Sequence, residues 1–175
     1  MSETIALDLG SGPHPANPFN ADRVIGIDSQ AIGENVLNCW VGIETIPLEN
    51  SSVDVVTAFD FLEHLPRSLW KDGEMTNPFI ETMSEIWRVL KPQGIFYART
   101  PAFPHPECFQ DPTHVNIITD TTVSYFARRP QIDGSLIDPW GLELGQRYGF
   151  KGQFLLLNQL WDHSHLIWRL QAEKN

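Results

Sequence analysis

Ile5-Ala6-Leu7-Asp8-Leu9-Gly10-Ser11-Gly12-Pro13 is an apolar run halted by two glycines and a proline, the pattern of a buried strand stopped by a tight loop. Working outward, Val24-Ile25-Gly26-Ile27 makes a second run ending at Asp28, Val36 to Val41 a weaker third, and Val53 to Phe59 a β-branched fourth. Asn77-Pro78 opens a helix, since Asn caps and Pro suits the first turn. Ile80, Met83, Ile86, Trp87 and Leu90 then recur at helical spacing until Pro92-Gly94 stops the run. These are ordinary core positions. Ile95 to Arg99 reads as a fifth strand ended by Thr100-Pro101.

The rest is less regular. Pro104, Pro106 and Pro112 exclude a regular helix or central strand between Ala102 and Pro112, and a loop of this length is usually functional. Thr119 to Phe126 reads as a short helix, and Gln131 to Gly141 as a second irregular insertion. Gly152 to Trp161 and Leu166 to Gln171, joined by Asp162-His163-Ser164-His165, read as an antiparallel hairpin at the sheet edge. Strands alternating with helices predict an α/β fold: a Rossmann-like three-layer sandwich, with a mostly parallel seven-stranded sheet closed by that hairpin. Ligands of such sheets bind at the carboxyl ends of the strands.

Composition narrows the partners. The 175 residues suit one domain over 1–175, with residues 102–141 as an insertion on the acceptor side. A hydrophobic share of 42% is ample for a core, and a net charge of −10 repels phosphate backbones, so no nucleic acid is expected. The adjacent pair Arg128 and Arg129 reads as a solvated helix end. Two cysteines, Cys39 and Cys108, do not make a disulfide framework, and no apolar run approaches the ~20 residues needed to cross a bilayer. A cytoplasmic protein with no membrane partner is the expectation.

Glycines after a strand let a ligand approach the backbone without Cβ interference, and Asp28 ends the neighbouring strand, where a carboxylate can accept both hydroxyls of a ribose. Loop and acid together specify an adenosine-like ligand. A diphosphate is disfavoured, because Gly10-Ser11-Gly12-Pro13-His14-Pro15 offers no third glycine and no helix start. Asp8 would repel a diphosphate but suits a ligand bearing an amino group and a sulfonium. A NAD-dependent oxidoreductase uses the same loop and acid and stays as an alternative, as does a binding module without turnover.

Leu7-Asp8-Leu9-Gly10-Ser11-Gly12-Pro13 and Gly26-Ile27-Asp28 resemble the first two motifs of class I S-adenosylmethionine-dependent methyltransferases of the type 11 kind. The resemblance continues in Ile46-Pro47-Leu48-Glu49-Asn50-Ser51-Ser52-Val53-Asp54-Val55-Val56, in Phe61-Leu62-Glu63-His64-Leu65, and in Glu85 to Gly94. It implies a methyltransferase with S-adenosylmethionine as cofactor. Asp8, Gly10, Ser11 and Gly12 would then border the methionine moiety, Asp28 the ribose, and Phe59, Asp60 and Phe61 the methyl-transfer side. Relatives often carry an adenine-contacting acid where this chain has Gly42, with Glu44 nearby. The chain also lacks the N-terminal extension that lids the cofactor in many relatives, so weak binding or a lid from a partner subunit, as in a homodimer, is expected.

Phe109 to Val115, followed by Tyr125-Phe126, resembles a segment of a subgroup of these enzymes, some encoded beside sugar-modifying enzymes. This implies a small-molecule or saccharide-like acceptor near His105, Asp111 and His114, methylated by in-line displacement. A histidine there could serve as general base, because imidazoles exchange protons near neutral pH, or could simply stabilise the loop. Glu63 and His64 read equally as loop-holding residues or ligand contacts. His105, Cys108, Asp111 and His114 recur every three residues, but the prolines exclude the helix that would align them, so no metal is expected.

Overall fold

A computed structural model describes residues 3–30, 33–131, 133–137 and 139–174. The first half runs through β1 (Ile5–Leu9), β2 (Arg23–Asp28), β3 (Val36–Asn38) and β4 (Val53–Phe59), then a 3-10 turn at Leu62–His64. A small hairpin follows, β5 (Leu69–Lys71) and β6 (Glu74–Thr76), before helix α1 (Pro78–Val89) and the long strand β7 (Leu90–Pro101). The second half holds α2 (Glu107–Gln110), a 3-10 turn at Thr122–Tyr125, β8 (Ala127–Pro130) and β9 (Leu136–Ile137). Helix α3 (Trp140–Arg147) then leads to β10 (Phe154–Asp162) and β11 (His165–Ala172).

Nine strands form the main sheet in the order β3-β2-β1-β4-β7-β11-β10-β8-β9. The first five are parallel, and β11 runs antiparallel to both its neighbours. The expected seven strands are joined at the far edge by β8, parallel to β10, and by the two-residue β9. The terminal hairpin is not at the edge as expected. Chain connectivity pairs β10 with β11, but β11 also hydrogen-bonds β7 from Gln171–Ile95 to His165–Pro101, so it fills the slot between β7 and β10. Its Leu166, Trp168 and Leu170 are accordingly fully buried.

Side chains alternate across a sheet with period two. One cross-strand row, Leu7, Val56, Phe96 and Leu170, is fully buried beneath the helical side, where Met83, Ile86 and Val89 of α1 are also fully buried. Phe79, Phe126, Phe150 and Phe154 continue this core as a chain of ring contacts. The next row, Asp8, Thr57, Tyr97 and Arg169, faces the other way. That side is covered near its middle by the loop after β1, whose Phe19 packs edge-on against Tyr97 at 5.7 Å.

Helix α1 clamps the approach to β4. Arg88 donates to Ile46 O, Leu48 O and Asn50 Oδ1 and pairs with Glu85, which in turn accepts the amide of Ile46. The helix ends at Val89 and β7 begins at once, so Pro92-Gly94 lies inside an irregular strand start, with Gln93 at φ +64°, rather than after a helix end. Three other expectations change. The third strand stops at Asn38; the 119–126 helix is a single 3-10 turn; and the 102–112 loop holds one helical turn, started by Pro106. The 131–141 insertion contains β9 and the start of α3, while its residues 132 and 138 lie outside the described residues.

Candidate active site

The turn after β1 is built by its glycines. Gly10 at φ +65° and Gly12 at φ +56° occupy left-handed backbone that favours glycine. A Cβ on Gly10 would stand 2.5 Å from Cδ2 of Phe61. The amides of Gly10 and Ser11 both donate to Ile27 O, which ties the turn to the end of β2. Asp28 completes the junction, its Oδ2 accepting the Gly12 amide at 3.0 Å and its Oδ1 the Gln30 amide at 2.9 Å. Oδ2 keeps a lone pair, and the long Ser29 contact on Oδ1, 3.5 Å, is weak enough to yield to a ligand hydroxyl.

A crevice of about 340 Å³ opens at this junction, within the size range of small-ligand sites. Gly10, Asp28 and Phe61 line it, together with Trp40, Ile43 and His64. Trp40, 56% exposed, lines it as well and is not singled out by the sequence, where it lies inside the run Val36 to Val41. Gly42, at φ +85°, lets helix α1 close on this wall, since a Cβ there would meet Pro78 O at 2.7 Å. Glu44 accepts the Trp40 amide and so holds the wall's turn.

Other expected site residues lie apart from the crevice. Asp8 is buried under the loop, accepting the Thr57 hydroxyl at 2.6 Å and the Ala16 amide at 2.8 Å, and burial pushes its carboxyl above the usual range against both bonds. Ser11 turns its hydroxyl to Gly12 O. Phe59 packs on Tyr97 at 5.7 Å. Asp60, at φ +48°, is held by His165 Nε2 at 3.1 Å and Arg99 Nη1 at 3.4 Å.

The three residues expected beside the acceptor separate into two places. His105 lies 5.2 Å, ring to ring, from Trp161 in a recess of about 450 Å³ shared with Phe103, Asp120 and His163. His114 instead packs edge-on against His64 at 4.8 Å and faces Glu63. Asp111 accepts the hydroxyl and amide of Thr113, which hold its carboxyl below the usual range. Glu63 is 1% exposed; burial pushes its carboxyl up, partly offset by its own backbone amide and by the Thr100 hydroxyl, 2.7 Å from Oε2. Its carbonyl accepts the amides of Val115 and Asn116, which docks this loop.

A larger recess of about 800 Å³ lies at the opposite rim among Asn50, Arg88, Gln93, Arg128 and Lys174. The parallel strands β4 and β7 begin there, and Arg88 and Arg128 are paired with Glu85 and Glu173, so it is not where an α/β sheet binds ligand.

A glycine turn leaving β1 and a carboxylate leaving β2, hydrogen-bonded across a parallel sheet, define the Rossmann-like class of nucleoside-binding proteins. The family described as methyltransferase domain matches residues 7–98, just over half the chain, and this chain belongs to it. A curated relative, a probable S-adenosylmethionine-dependent methyltransferase of Mycolicibacterium smegmatis, is 32% identical over 106 residues, covering 54% of this chain and 37% of that protein. The chain thus spans little more than a third of that relative's length. Among solved structures, a SAM dependent methyltransferase from Archaeoglobus fulgidus superposes with a TM-score of 0.61 at 16% identity, covering 97% of this chain and 86% of that one. The [4+2]-cyclase SpnF superposes at 0.62 with 14% identity, covering 99% and 76%. At such identities the likeness is one of fold.

Proposed function

We propose that this chain transfers a methyl group from S-adenosylmethionine to a small-molecule or saccharide-like acceptor. The observation that carries the reading is the Asp28 carboxylate, 3.0 Å from the Gly12 amide at the mouth of a crevice lined by Gly10, Trp40 and Phe61. The donor set fits an adenosine: Asp28 takes the ribose hydroxyls, Trp40 and Ile43 offer apolar surface to the base, and Gly10 leaves room for close approach. Asp8 acts indirectly, by pinning Ala16 and so the shape of the turn.

When bound, the cofactor supplies an electrophilic methyl carbon on sulfur. The protein's work is alignment and exclusion of water. In this reading the acceptor rests on Trp161 in the recess with His105, where an indole face suits the apolar face of a sugar. The His105 imidazole would take the proton that the acceptor atom loses on methylation. Residues 1–175 serve as one domain, and the chain pairs as a homodimer.

The test is incubation of pure protein with radiolabelled donor and a panel of hydroxylated and amino acceptors. Labelled product with stoichiometric S-adenosylhomocysteine is expected. A binding module would saturate with donor and release none, and tight NAD binding with no response to S-adenosylhomocysteine would overturn the reading in favour of an oxidoreductase.

A further inference from the structure

Glu63, His64 and His114 each offer one ligand atom, and these atoms lie within 4.8 Å of one another. Two of the three come from the turn after β4 and the third from the 111–118 loop docked on it. Glu63 Oε1 is buried with no hydrogen-bond partner among the described residues, although an unpaired buried carboxylate oxygen is costly. It points at His114 Nε2, 4.0 Å away, too far for a hydrogen bond.

Both imidazoles are held as metal ligands usually are. His114 Nδ1 lies 3.1 Å from the Glu107 carbonyl, so Nδ1 carries the proton and Nε2 presents a lone pair toward Glu63. His64 Nδ1 lies 3.0 Å from the Thr113 hydroxyl, which already donates to Asp111 and therefore accepts from Nδ1–H, leaving Nε2 as the lone-pair nitrogen. A histidine oriented by a backbone carbonyl, and another by a hydroxyl that a carboxylate fixes, are the supports that set ring tautomer at metal centres.

We propose that Glu63, His64 and His114 bind one divalent first-row transition cation at the wall of the crevice. Two imidazoles and one carboxylate select such ions over magnesium or calcium, which prefer all-oxygen shells. Bonds of about 2.0–2.2 Å require the ligand atoms to close to about 3–3.5 Å, an adjustment of roughly an ångström. Three protein ligands leave coordination positions open, as catalytic rather than structural sites do. His64 also lines the crevice, so an oxygen donor of a molecule bound there can reach the ion.

The test needs no methyl donor, so its outcome is independent of the proposed transfer. Protein stripped with a chelator is titrated with Mn2+, Co2+ or Zn2+ alone, with circular dichroism confirming the fold of each variant. One ion per chain is expected, with affinity falling on the order of 100-fold or more in Glu63→Gln and His114→Ala, and about 10-fold in Thr113→Val. His14→Ala, an exposed histidine elsewhere, should not change it. If the variants fail to fold, electron spin-echo modulation of Mn2+ bound to the unaltered protein reports imidazole nitrogen directly. No saturable binding of any of the three ions, unchanged affinity in folded His114→Ala, or no nitrogen modulation would each overturn the proposal.

Discussion

Gly10 shows how one residue couples conformation to the crevice. Any side chain there must adopt φ +65° and displace Phe61, which its Cβ would approach to 2.5 Å. Gly10→Ala is expected to cost about 1–3 kcal/mol of stability, measured by urea unfolding, and to weaken S-adenosylhomocysteine binding as Phe61 moves. Asp28 bears on ligand more directly. Asp28→Ala removes a charged acceptor and should weaken S-adenosylhomocysteine by about 1.5–3 kcal/mol, read by calorimetry. Unchanged affinity would place the ribose elsewhere. Both residues were legible in the sequence because a glycine that leaves a strand and an acid that ends the next have local signatures. Trp40 was not, because nothing in its neighbours says that the chain turns its indole toward β1.

At the scale of elements, the pair Glu85 and Arg88 joins helix α1 to the segment before β4. Removing Arg88 takes the guanidinium donor from the carbonyls of Ile46 and Leu48, of which only Ile46 O keeps another donor among the described residues, the Leu48 amide, and it leaves Glu85 half-buried without its cation. Arg88→Ala should therefore cost about 2–4 kcal/mol, visible as a lower unfolding midpoint. Burial alone would raise the Glu85 carboxyl, but the Arg88 guanidinium and the Ile46 amide hold it below its ordinary value of 4.5. The resulting stability is present above 4.5 and is lost as pH falls through the lower folded value. Unfolding midpoints of Glu85→Gln measured at neutral and acid pH should show a shallower acid loss than the parent; an identical slope would show that the pair carries no linkage. The helix itself was readable from its Asn77-Pro78 start and apolar spacing. Its true end was not, because Leu90 leaves the helix to pair with Val53 across the sheet, a contact that helical periodicity does not encode.

For the whole molecule, the position of β11 matters most. A hairpin at an edge could be trimmed with local loss, whereas β11 is hydrogen-bonded on both sides and buries Leu166, Trp168 and Leu170. Truncation after Gln153 should abolish cooperative unfolding and expose the Phe96 row, detected by calorimetry and dye binding. Retention of a sharp transition would contradict the central placement. Earlier in the chain, the segment leaving β7 folds back so that the 111–118 loop docks on the turn after β4, and His114 meets residues about 50 positions before it.

By itself, the sequence determined the strands with strong apolar runs, the glycine turn, the acid at the end of β2 and the α/β class, because backbone propensity and period-two or helical spacing act between near neighbours. Tertiary structure alone decided that β11 lies inside the sheet, that His105 and His114 part company, and that Glu63, His64 and His114 converge. Those outcomes depend on which buried surfaces and backbone edges find each other across long stretches of chain, and no local interaction specifies that choice.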